Sequence, residues 1–239
     1  MDLVREFPPT QNAAVAAVRD GDARERARGL DKLAAVYWRP VYSYLRLRWR
    51  RPHEEAADLA QEFFAEVVEK ELIARFDPSR ARLRTFLRVC IDGLVANRDR
   101  AAARLKRGGA GPTFDFEEVR EEIDRIGECG SADSPEILFE KEWARSVFAM
   151  ALQRLRERCA SAGKSENYAL LERYDLAGER RTYAELATEL GISVTDVTNR
   201  LARTRRDLRA AVLDVLRELT GNDEDLRAEA RALFSNGFA

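Results

Sequence analysis

A chain of 239 residues is long enough to bury one core of ordinary size or two small ones. Lys and Arg number 41 against 42 Asp and Glu, so a formal net charge of -1 conceals a charged fraction of 35%, above the roughly 25% of an average domain. With 45% apolar residues, 13 Gly and 7 Pro, the composition suits neither a disordered chain nor a loop-rich β protein, and it favours helices.

The chemistry that the residue types exclude narrows the function. Cys90, Cys129 and Cys159 form no CxxC pair, so no disulfide framework or zinc knuckle is indicated and a reducing compartment is expected. His53 is the only histidine, which rules out a site needing two imidazoles. No GxSxG, Walker, HExxH or GxGxxG pattern occurs. No catalytic residues, metal or cofactor are therefore expected. The first residues carry no basic and apolar leader, and no run of about eighteen apolar residues exists. The expected location is the cytoplasm, without a membrane partner.

In chain order, the first helical pattern covers about Ala23 to Arg50, with Leu30, Leu33, Ala34, Tyr37, Val41, Tyr44, Leu45 and Leu47 at three and four spacing. Pro40 is expected to kink or divide it. A second helix follows Pro52 to about Ala74. Its apolar stripe is Ala56, Leu59, Ala60, Phe63, Phe64, Val67, Val68, Leu72 and Ile73, and its other face holds Glu54, Asp58, Gln61, Glu62, Glu66 and Glu69. After the loop Phe76 to Arg82, a third helix runs from about Leu83 to Arg107, with Phe86, Leu87, Val89, Cys90, Ile91, Leu94 and Val95 inward and arginines elsewhere.

Charge is segregated along the chain. Arg75 to Arg107 holds ten basic residues against three acidic ones, whereas Asp115 to Glu142 holds eleven acidic against three basic. Between them lies the breaker cluster Gly108-Gly109-Ala110-Gly111-Pro112. The fold expected is therefore all-α, with two helical domains, residues 1–107 and 135–239, joined by a flexible acidic linker over 108–134. Opposite charges tethered by a flexible segment have a high effective concentration for one another. The linker is expected to fold back over the basic surface in the free protein.

Beyond the linker, a helix is expected from Ile137 to Cys159, with Leu138, Trp143, Val147, Phe148, Ala151, Leu152 and Leu155 inward, then another from Glu166 to about Asp175. Thr182-Tyr-Ala-Glu185 and Ser193-Val-Thr-Asp196 are a capping box and its Asp variant, so two helices start eleven residues apart. Gly191 stands where a left-handed cap is required, and Leu186, Leu190, Ile192, Val197 and Leu201 supply an apolar corner. This reads as a helix-turn-helix, followed by a C-terminal helical extension.

The second of those helices carries Thr195, Thr198, Asn199, Arg200, Arg203, Arg205 and Arg206 opposite Val194, Val197, Leu201, Leu208 and Val212. Thr, Asn and Arg on one helix face suit a major groove, where Arg reads guanine, Asn reads adenine and further Arg holds phosphate. A solvated basic face is the competing explanation. Arginines mixed with Phe76 and Phe86 around the loop suit an unstacked base and its phosphate, while for Phe86 taken alone core packing is the preferred reading. The acidic face of the second helix suits either solubility or a basic partner.

Four segments carry a resemblance. Tyr37-Trp-Arg-Pro-Val-Tyr-Ser-Tyr-Leu45, Glu55-Ala-Ala-Asp-Leu-Ala-Gln-Glu-Phe-Phe64 and Phe76-Asp-Pro-Ser-Arg-Ala-Arg-Leu-Arg-Thr-Phe-Leu87 resemble, in order, conserved region 2 of the extracytoplasmic-function group of bacterial sigma-70 factors. Tyr183-Ala-Glu-Leu-Ala-Thr-Glu-Leu-Gly-Ile-Ser193 with Val197-Thr-Asn-Arg-Leu-Ala-Arg203 resembles their region 4. The sequence departs from the family at Phe86, where many members have Trp, at Gly93, where Asn is common, and at Thr198, where a basic residue is common.

The resemblance implies a promoter-specificity subunit of RNA polymerase without catalytic activity. It implies that Asp58, Gln61 and Glu62 bind core polymerase, and that Arg80, Arg82, Arg84, Phe86, Arg88, Asn97 and Arg100 hold the minus-10 element. Thr195, Thr198, Asn199, Arg200, Arg203 and Arg206 would read the minus-35 element. Core RNA polymerase, promoter DNA and a regulator of the anti-sigma or kinase type are the partners it suggests. Two alternatives stand beside it: a stand-alone helix-turn-helix regulator, and a sigma-like protein that binds a partner without initiating transcription.

Overall fold

A computed structural model of the chain describes residues 14–69, 72–77, 79–105, 134–177, 181–220 and 222–235. All regular structure among them is helical. The expected acidic linker, Ser134 excepted, lies outside the described residues. Among the described residues, no helix is long and apolar enough to cross a membrane. The packing forms two compact units, one of Met1–Ser146 with Glu218–Ala239 and one of Val147–Arg217.

The first unit opens with a short helix, α1 (Ala14–Asp20), which periodicity over seven residues is too short to reveal. It lies against α2 (Ala23–Leu47), and Gly29 permits the approach: a Cβ there would come within 2.7 Å of the Ala14 carbonyl oxygen. Asp22 caps α2 with a full capping box, its Oδ1 accepting from the amides of Arg24 and Glu25 while Glu25 accepts from the Asp22 amide. Of the two outcomes expected at Pro40, division does not occur, since α2 runs through it. An interior proline costs about 3 kcal/mol by removing one helical donor. Here that cost is offset by the buried run Leu33, Val36, Tyr37, Val41, Tyr44 and Leu45, which continues on both sides of it.

α3 (His53–Glu69) buries Ala56, Leu59, Ala60, Phe63 and Val67. The expected helix to Ala74 ends earlier and resumes as a 3₁₀ turn at Leu72–Arg75, whose Leu72 and Ile73 are also buried. α4 (Leu83–Leu105) completes the bundle with Leu87, Cys90, Ile91 and Leu94. α5 (Pro135–Ser161) contributes Pro135–Ser146 to this unit, so the packing divides within α5 rather than at its start. The reason is two large side chains. Phe139 sits beside Tyr37 and Tyr44, with ring centroids at 6.5 and 5.8 Å, and Trp143 is buried as well. Helix α9 (Asp223–Ser235) belongs to the same unit and is anchored by Leu233.

A polar tie links α4 to the end of α2. Asp92 Oδ2 accepts from the Tyr44 hydroxyl at 3.0 Å, and Oδ1 accepts from the Trp49 indole at 2.7 Å. Burial nevertheless holds the Asp92 carboxyl above its ordinary range. A carboxyl whose value rises on folding binds its proton more readily in the native state. Its contribution to stability is therefore greatest in acid and declines as pH climbs through the ordinary carboxylate range towards the raised value. Asp92→Asn is expected to reduce that decline in urea titrations between about pH 4 and pH 7. It should also cost about 1 kcal/mol in acid, because an amide nitrogen cannot accept from the second donor. An identical slope in both proteins would assign the pH dependence to other carboxylates.

The second unit contains the remainder of α5, then α6 (Ser165–Leu171), a π-helical turn (Glu172–Leu176), α7 (Tyr183–Leu190) and α8, whose full extent is Val194–Leu219. Its core is Leu155, Cys159, Leu170, Leu171, Leu186, Ala187, Val197 and Leu201, with Ile192 and Leu208 partly buried against it.

Candidate partner and nucleic-acid interfaces

On α3 the residues opposite the apolar stripe recur every three or four positions, which places Asp58, Gln61 and Glu62 on one side. Asp58 and Gln61 are exposed. Glu62 is half-exposed and accepts from Arg98 of α4, a partner that the sequence pattern did not reveal. Arg51 ties the same two helices together, reaching both Asp99 at 2.5 Å and Glu55 at 3.1 Å. Beside the acidic side, Phe64 stacks on Trp38 at 5.8 Å. The face is thus an acidic strip on a helix whose position is set by ion pairs and a deep apolar core.

The seven residues assigned to the minus-10 element separate into two groups. Arg80, Arg82 and Arg100 lie at the surface. Asp77 shapes the loop that carries Arg80: its carboxylate accepts from the Ser79 amide at 2.9 Å and hydroxyl at 2.7 Å. Those bonds hold its acid below the usual carboxylate range. Arg84, Phe86, Arg88 and Asn97 are instead buried. Phe86 packs on Phe76 with centroids 5.4 Å apart, in keeping with its core explanation. Asn97 Oδ1 accepts from Arg100 at 2.6 Å. Arg84 is enclosed by Glu140, Glu229 and the ring of Trp143.

In the second unit both expected helix starts are formed. Thr182 Oγ1 accepts from the Glu185 amide at 3.2 Å, and Glu185 Oε2 accepts from the Thr182 amide at 2.7 Å. Ser193 Oγ accepts from the Asp196 amide at 3.0 Å and donates to the Asp196 carboxylate at 2.7 Å. These bonds lower the acids of Glu185 and Asp196. Between the helices, Gly191 adopts φ +64°, where a side chain would be strained. Val194, expected inward, is 46% exposed, because the first residue of α8 precedes the turn that enters the core at Val197.

Thr195, Asn199, Arg203 and Arg206 are exposed along one side of α8. Thr198 is half-buried beside them, with its hydroxyl donating to the Thr195 carbonyl at 2.9 Å. Arg200 turns to the other side and meets Glu166 at 3.5 Å. Arg205 is held as a fork by Asp175, at 2.9 and 2.8 Å, over the ring of Tyr174. Tyr174 in turn stacks on Tyr183 at 4.8 Å. The outward face of α8 therefore offers one hydroxyl, one amide and two guanidinium groups, a set that can donate to base edges and phosphates.

The class these features define is a protein helical throughout its described regular structure, whose first unit pairs an acidic helix with an arginine-rich one. Residues 33–105, from within α2 to the end of α4, match the family model of sigma-70 region 2. The match supports the sigma-70 family and a role in transcription initiation. No curated protein and no solved structure matches the chain.

Proposed function

We propose that the chain is a sigma factor of the extracytoplasmic-function group, a non-catalytic subunit that directs RNA polymerase to particular promoters. The observation that carries this reading is the sigma-70 region 2 match over α2, α3 and α4. In it, Asp58, Gln61 and Glu62 dock on a basic surface of core polymerase, and Arg80, Arg82 and Arg100 approach the minus-10 strand. The helices α7 and α8 act as a helix-turn-helix, with Thr195, Thr198, Asn199, Arg203 and Arg206 in the minus-35 groove. Arg200 contributes to that surface from its flank. The polymerase and minus-10 surfaces belong to the first unit and the minus-35 surface to the second, and the chain passes between the units within α5 and near the end of α8. A stand-alone helix-turn-helix regulator would leave the region 2 match without a role.

Run-off transcription from a promoter library, with core polymerase and the purified chain, tests the proposal. Initiation that depends on the chain is the expected result, and none would overturn the reading. The same promoters give a second check. Arg203→Ala should cost about 1–3 kcal/mol in minus-35 binding and reduce the salt dependence of that binding by about one unit of slope. An affinity and slope equal to the parent's would make the outward side of α8 a solvated face.

A further inference from the structure

Arg84 stands near the start of α4, in the helix that carries most of the basic segment, yet its side chain is only 2% exposed. The neighbouring Arg82 is exposed. Tyr37 and Arg82 act on the Arg84 charge, and the three groups that contact its guanidinium come from beyond residue 134. Its Nε meets the Glu140 carboxylate, its Nη1 donates to Glu229 Oε2, and its Cζ lies 4.3 Å from the centroid of the Trp143 ring. Glu229 is 145 residues away in sequence and is itself buried.

This is an expensive arrangement if stability is its only purpose. Burying a guanidinium and carboxylates together costs solvation that their attraction only about repays, and an apolar filler of the same volume would serve as well or better. The composition of the pocket suggests another purpose. Two carboxylate groups and an aromatic face present to an arginine what a phosphate and a base present to it: forked acceptor oxygens and a π surface.

We propose that Glu140 and Glu229 are built-in anion mimics that occupy Arg84, so that the start of α5 and helix α9 close this face of α4 until a nucleic-acid phosphate replaces them. The inference rests on the sigma-factor reading of α4, to which it adds regulation by the chain's own C-terminal helix. It reconciles the assignment of Arg84 to nucleic acid with its burial: the residue is a DNA contact held in a closed state. Of the two occluding groups, Glu140 belongs to the acidic segment from Asp115 to Glu142, and Glu229 lies well beyond it. α9 is suited to move, because it is short, begins with the acidic run Asp223-Glu224-Asp225 and has Leu233 as its deeply buried apolar anchor.

The test uses the full chain and a fluorescein-labelled single-stranded DNA of mixed sequence, followed by anisotropy at low salt. The double variant Glu140→Gln and Glu229→Gln keeps shape and hydrogen bonding but removes both charges. If nine-tenths of the parent molecules are closed, opening them tightens apparent binding about tenfold. That gain is expected, together with its loss when Arg84→Ala is added. A change below about twofold, or a gain that survives Arg84→Ala, would overturn the proposal, because neither is what release of Arg84 produces. Should the double variant fail to melt cooperatively, Glu140→Gln alone, at the more exposed partner, must still raise affinity, and no gain there overturns it too. Run-off transcription separates the two readings. Gain without initiation removes the sigma assignment and leaves an acid-closed phosphate site; initiation without gain removes the closure alone.

Discussion

Phe139→Ala is expected to destabilise the first unit by about 3–5 kcal/mol, the range for deleting a fully buried phenyl ring. The ring is 1% exposed and lies edge-on to Tyr44 at 5.8 Å, with Tyr37 at 6.5 Å. Its removal leaves a cavity that aromatic neighbours, fixed in α2, cannot collapse to fill. Urea unfolding of the full chain measures the loss, with Leu138→Ala as the comparison. Leu138 is the preceding residue but only half-buried, so its truncation should cost far less. Equal losses at the two positions would mean that the start of α5 is not part of the core of the first unit. The prediction bears on function because the same residues carry Glu140 and Trp143 to Arg84.

Asp58→Lys is expected to weaken binding to core polymerase by about 3 kcal/mol, on the order of a hundredfold in Kd, if the acidic side of α3 meets a basic surface. The cost combines a lost attraction with a new like-charge contact at the centre of the interface. Folding should change by no more than about 0.5 kcal/mol, since Asp58 is exposed while Leu59 and Phe63 behind it remain in the core. The pair of measurements is decisive. Titration of labelled protein into core polymerase gives the affinity, and thermal melting confirms the fold. Unchanged affinity in a folded variant would leave the acidic side of α3 with a solubility role only. Glu62 is the less suitable position for this substitution, because its carboxylate is already engaged by Arg98 and reversal would also disturb the α3–α4 contact.

Much of the helical layout follows from neighbours in sequence. The capping box at Thr182, the cap at Ser193 and the left-handed Gly191 are read within four residues of each helix end, and all three form as their chemistry requires. The apolar stripe of α3 is likewise legible, since a period of 3.6 selects Ala56, Leu59, Ala60, Phe63 and Val67 without reference to any other element. Where the packing partner matters, local reading falls short. Pro40 signals a break by its own chemistry, and the bundle around it carries the helix through. Periodicity points to Leu138 as inward, and it is Phe139 that is buried beside Tyr37 and Tyr44.

The arginines show the division most plainly. Sequence alone determines that α4 is basic, that α3 has an acidic side and that α8 carries Thr, Asn and Arg beyond a capped turn. It gives Arg82 and Arg84 the same standing. Only the tertiary structure makes Arg82 a surface group and Arg84 a buried one, and it likewise sends Arg205 to Asp175 while leaving Arg203 and Arg206 outward. The physical reason is range. Helix starts, turns and stripes depend on backbone hydrogen bonds and side-chain periodicity within a few residues. Whether a charge stays in water depends on which carboxylate and which ring arrive from elsewhere in the chain, and for Arg84 one of those carboxylates arrives from 145 residues away.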